Sequence, residues 1–106
     1  MADQGVARLR AELAAAGVKR LEGSTGDRLE VVILALARHR GPDSSICPSD
    51  AARAVGGAGW RDLMPDAREA ARALARQHRV RVTSRGDVLS PDGEWTGPVR
   101  ISVDPR

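Results

Sequence analysis

The chain has 106 residues, enough for one domain and too few for two. Alanine supplies 17 of its apolar residues and Leu, Ile and Val together 22, with no Phe or Tyr, so the core must be small and helix-rich. Seventeen basic residues, 16 of them arginine, face 14 acidic ones for a net charge of only +3, while a single cysteine excludes an intramolecular disulfide and a cysteine-rich zinc site.

No apolar run reaches membrane-spanning length. Arg8, Arg10, Glu12 and Lys19 interrupt residues 1–22 too often for a signal peptide, so a cytoplasmic location is expected.

In chain order, Val6, Leu9, Leu13 and Ala16 recur at helical spacing and predict a helix over 3–16, with Gly17 as its stop. Gly23 to Gly26 reads as a short linker. A second helix is expected over about 27–40, opened by Asp27 with Glu30 three residues on and ended by Gly41-Pro42. Leu29, Val32, Ile33 and Leu36, widened by Val31 and Leu34, make this the most aliphatic stripe and place the helix at the centre. Ile46 suits a bridge-like strand, and Pro48 opens a short third helix to about Val55 with Ala51, Ala52 and Val55 inward. Gly56, Gly57 and Gly59 break it, and Pro65 begins a fourth helix reaching about His78, with Ala67, Ala70, Ala71 and Leu74 inward. The period then falls to two: Val80 and Val82, and later Val99 and Ile101, alternate with polar residues around a loop over 84–97. Two such strands form an antiparallel hairpin, which needs the helices to cover its apolar face.

Helix, short strand, helix, helix, strand, loop, strand is the order of a winged helix-turn-helix. The expected fold is therefore mainly α with a small β-hairpin, built as a helical extension over 1–22 and a winged-helix domain over 27–106. The blocks Ile46-Cys47-Pro48-Ser49-Asp50, Trp60-Arg61-Asp62-Leu63-Met64-Pro65, Val80-Arg81-Val82-Thr83 and Gly97-Pro98-Val99-Arg100-Ile101 resemble a family of small bacterial proteins known only as a domain of unknown function. The resemblance spans about residues 27–103. It implies a winged-helix-like fold and a bacterial source, and carries over no functional residue.

Function is read from where the charge lies. Residues 65–85 hold Arg68, Arg72, Arg76, Arg79, Arg81 and Arg85 against Asp66 and Glu69, a net +4, while the rest of the chain nets −1. Arg68, Arg72 and Arg76 fall four apart and form a ridge on the helix that a winged helix lays in the major groove. Arg79 and Arg81 are expected on one face of the strand and Arg85 at the start of the wing. These six are the candidate nucleic-acid contacts, with double-stranded DNA the first partner to consider and a regulatory role implied. The alternative is a protein-interaction or assembly module with no nucleic acid, through the N-terminal helix or the wing; the stripe over 3–16 can pack on its own domain or form a homodimer. Cys47, ahead of Pro48 at a helix N-terminus, is the one candidate reactive thiol, for a redox sensor, or else a small capping residue paired with Asp50. His39 and His78 sit at helix ends in no metal pattern, and no catalytic triad, phosphate loop or paired carboxylates are visible, so neither a catalytic site nor a cofactor is expected. Trp60 is expected as a core anchor, and Trp95 as packing beneath the wing loop or as a contact residue.

Overall fold

A computed structural model of the chain describes residues 4–104. Residue 3 of the expected first helix and the last two residues of the expected domain lie outside that range.

Four helices precede a small sheet: α1 (Gln4–Ala15), α2 (Thr25–Arg40), α3 (Pro48–Gly56) and α4 (Met64–Arg76), then β1 (Val80–Ser84), β2 (Asp87–Val88) and β3 (Arg100–Val103). Among the described residues no helix is long and apolar enough to cross a membrane.

Helix α2 starts two residues earlier than the Asp27 pattern predicts. Ser24 is its cap: the Ser24 hydroxyl accepts from Asp27 N at 3.0 Å, and Ser24 N donates to Asp27 Oδ2 at 3.1 Å. Aspartate does here what Glu does in the commoner form of the box. Leu29, Val32, Ile33, Leu34 and Leu36 are all buried, which puts α2 at the centre of the core. Val31 departs from expectation: it is 45% exposed, on the side of α2 that borders an open groove rather than the core.

Proline opens α3 as predicted, and Cys47 N donates to Asp50 Oδ2 at 2.9 Å across its first turn. The glycines after α3 do not unwind the chain into a loop. They tighten it into a 3-10 turn over Gly57–Leu63 that runs on into α4. Gly57, at the junction, holds a positive φ of 58° that favours glycine, and a Cβ on Gly56 would make the tip of the Leu63 side chain shift. Helix α4 then buries Ala67, Ala70, Ala71 and Leu74, and three of these four are alanines small enough to let it lie close to α2 and α3.

The sheet has β1 in the middle, antiparallel to both neighbours, with Val82 opposite Ile101 and Thr83 opposite Val88. Arg85 and Gly86 both hold positive φ, 52° and 87°, as a two-residue hairpin turn demands. Ile46 adds the expected bridge beyond β3: its N–H and C=O pair with Ile101 at 2.8 and 2.7 Å. Val80, Val82, Val99 and Ile101 are buried against the helices. The arrangement is mainly helical and winged-helix-like, with one helix added in front.

That added helix shares the core. Val6, Leu9 and Leu13 are each at most 7% exposed within the single chain. Arg40 grips Glu12 through two hydrogen bonds of 2.9 and 3.0 Å, and Arg10 Nε donates to Ala54 O at 3.2 Å. Of the two uses expected for the stripe over 3–16, Val6, Leu9 and Leu13 take packing on the chain's own domain, while Ala16 at its end stays half-buried.

Candidate functional site

The arginine ridge on α4 is real, and it points at the protein's own wing. Arg68 donates to the carbonyls of Trp95 at 3.2 Å and Gly97 at 2.6 Å. One nitrogen of Arg72 donates to Pro91 O at 2.7 Å and Gly93 O at 2.6 Å, and its guanidinium lies 4.0 Å from the centre of the Trp95 ring. Arg76 pairs with Asp92 at 2.8 Å. Glu69 approaches Arg72 only to 3.8 Å. The loop after β2 has no regular ladder of its own, so its carbonyls need donors, and arginine's fork supplies several from one side chain.

Trp95 completes this clasp. It is 9% exposed and its indole N–H donates to Ser90 O at 2.9 Å, so of its two expected roles it takes packing beneath the loop.

The loop also cancels the charge. Residues 86–99 carry Asp87, Asp92 and Glu94 with no basic residue, so the folded unit 65–99 nets only +1. The +4 of residues 65–85 is a property of the chain cut at Arg85. It falls once the next fourteen residues are counted, of which those from Pro91 to Gly97 supply the contacts to the ridge. The part of α4 left outside the clasp is acidic: Asp66 and Glu69 share a groove with Glu30 of α2.

Of the remaining three candidate cations, Arg79 and Arg85 lie away from the ridge, while Arg81 shares a groove with its last member, Arg76. His78 adopts positive φ, 59°, and β1 starts only at Val80. Arg79 lines a groove beside α2, whereas Arg81 lines a different one with Val88, Leu89 and Asp92. Arg81 is half-buried and its Nε has no hydrogen-bond partner. Arg85 stands exposed in the hairpin turn. The six arginines therefore do not converge on one surface.

Cys47 is half-buried, and Arg100 Nη1 donates to its Sγ at 2.6 Å. The same guanidinium donates to Ser45 O at 3.0 Å and Ser45 Oγ at 2.9 Å. Arg100 thus ties β3 to the connection between α2 and α3, with Cys47 as one of its acceptors. Trp60 is half-buried between two guanidinium groups, Arg53 at 4.4 Å and Arg61 at 4.6 Å from its ring centre, rather than deep in the core.

The Glu12–Arg40 clamp is the strongest electrostatic feature. The hydrogen bonds from Arg40 hold the Glu12 carboxyl below its ordinary range, against a smaller opposing effect of burial, and Glu12 in turn raises Arg40.

Sequence reasoning missed one surface. Asp27, Glu30, Val31, Leu34, Ala35 and Arg38 lie along one side of α2 and floor an open groove of about 760 Å³. Ala15, Ala16, His39, Leu74 and Arg79 make the rest of its lining. The signal was present in the sequence: the aliphatic stripe of α2 is wider than the one face a packed helix buries.

No curated protein matches the chain at a significant level. A family model described as a protein of unknown function, DUF3253, matches residues 26–104, from the start of α2 to just past β3. With three quarters of its length matched and α1 as an addition in front, the chain belongs to the DUF3253 family.

Proposed function

We propose that this domain is a non-catalytic protein-interaction module, and that its working surface is the open side of α2 rather than the arginine ridge of α4. The observation that carries the reading is Val31. Among the described residues it is one of two large apolar side chains left exposed, at 45%, and it lines the groove together with the carboxylates of Asp27 and Glu30 and the cations Arg38 and Arg79. An apolar centre with charged ends is how a groove receives an amphipathic helix. A protein segment suits both ends of it, whereas a polyanion suits only one.

Duplex binding through α4 and the wing is the weaker reading, because Arg68, Arg72 and Arg76 already hold the loop and the free side of α4 carries Asp66 and Glu69. One pair of titrations separates the two. A model helix with Glu in its first turn, Leu at its centre and Lys in its last turn is expected to move the amide resonances of Val31, Leu34 and Ala35. Labelled duplex DNA at 50 mM salt is expected to stay unbound. Duplex binding whose log K falls against log salt with a slope near about −4.5, the value for roughly five phosphate contacts, together with no response to the helix, overturns the proposal.

A further inference from the structure

We infer that the occupant of the α2 groove is a second copy of this chain, its α2 packed antiparallel to the first about a two-fold axis. The inference rests on the docking reading above and names the partner.

The face carries its own complement in charge. Glu30 and Arg38 lie eight residues apart on one side of α2, about 12 Å at 1.5 Å per residue, with Asp27 beyond one end and His39 beyond the other. Glu30 and Arg38 make no side-chain hydrogen bond or ion pair with the described residues. An antiparallel copy sets the partner's Arg38 opposite Asp27, one helical turn from Glu30, and by symmetry this Arg38 opposite the partner's Asp27. The same geometry opposes the two helix dipoles head to tail, which is the favourable sense. A parallel copy would put like charges together at both ends.

The face carries its complement in shape as well. Val31 is a knob, 45% exposed, and beside it lies a hollow lined by Ala15, Ala16 and Ala35 over Leu34. Alanines leave room where a branched side chain must enter. A two-fold contact requires one patch to hold both the projection and the hollow, since each residue meets its counterpart reciprocally. With the axis passing midway between Val32 and Ile33, Val31 of each copy faces Leu34 of the other. A contact of one helix face falls below the size of a stable interface, so association is weak and reversible.

Sedimentation velocity on the full chain, from about 10 μM to on the order of 1 mM, tests this. The wild type is expected to pass from monomer toward dimer over that range. Val31→Glu, at an exposed site, is expected to remain folded with unchanged Tm and to weaken self-association at least about tenfold. Glu30→Arg and Arg38→Glu are each expected to do the same alone. Mixed one to one, these two are expected to associate again, because both cross-contacts then pair opposite charges. A parallel contact, already repulsive in the wild type, would not be weakened by either variant alone, so the loss in each single variant together with that recovery marks the reciprocal antiparallel contact. A wild type monomeric throughout, single variants that associate like wild type, or a mixture that stays monomeric would each overturn the inference. If the wild type stays monomeric while the model helix still moves Val31, self-association falls and the docking reading stands; if neither occurs, both fall.

Discussion

Helices α4 and α2 each carry charged side chains three and four residues apart on one side, yet only one of these rows is covered. On α4 the row meets a loop that needs hydrogen-bond donors, and Arg68 and Arg72 between them satisfy four of its carbonyls. On α2 the row of Asp27, Glu30 and Arg38 lies under no covering loop and borders an open groove. A row of like charges with a covering loop has become internal scaffolding, and a row of mixed charges without one has stayed a surface. What separates them is the presence of unpaired backbone nearby, which a count of charges does not register.

The comparison is broken most severely at Arg72. Arg72→Ala removes two charge-assisted hydrogen bonds and the stacking on Trp95, and is expected to cost about 3 kcal/mol, or on the order of 12 °C in Tm. Hydrogen exchange over residues 90–97 is expected to quicken with it. Arg72→Lys is expected to recover little, because an ammonium lacks the flat fork that reaches the two carbonyls and covers the ring. If Arg72→Ala leaves both stability and loop exchange unchanged, the ridge is not what holds the wing.

A smaller effect is expected at the α1 clamp. Glu12→Gln keeps the shape but loses the charge facing Arg40, and is expected to cost about 1.5 kcal/mol. The pH dependence has a defined sign. The folded carboxyl lies below its unfolded value, so its contribution is fully present above that value, about 4.3, and is lost as pH falls through the folded one. Denaturant unfolding at pH 7 and at pH 3 is expected to show wild type and Glu12→Gln converging at the lower pH. The smallest effect is expected at Arg76, whose pair with Asp92 has side chains 49% and 75% exposed. Arg76→Ala is expected to change stability by less than about 0.5 kcal/mol, which would assign the loop's anchorage to Arg68 and Arg72.

How much of this was legible beforehand follows from range. Residues whose partners are near in sequence announced themselves: Pro48 at a first turn, alternating Val80 and Val82, and the stripe Leu29-Val32-Ile33-Leu36. The bridge at Ile46 was legible because an isolated β-branched residue before a helix has few other uses. The engagement of the ridge was not. Arg68 and Arg72 reach acceptors 19 to 29 residues away, and those acceptors are backbone carbonyls, which have no residue identity. Segmental charge failed for a related reason, since cutting at Arg85 separated the basic stretch from the three acids that fold over it. Val31 was misplaced because periodicity shows how wide a stripe is but not how much of it a neighbour covers.

The bond pair between Ile46 and Ile101 also sets an order of events during synthesis. All four helices and β1 are made before β3, yet Ile46 and one edge of β1 have no hydrogen-bonding partner until residues 100–103 arrive. A growing chain that has reached the wing thus exposes an unpaired apolar strand edge, the kind of surface that aggregates or attracts a chaperone. The sheet is therefore complete only once β3 has been made.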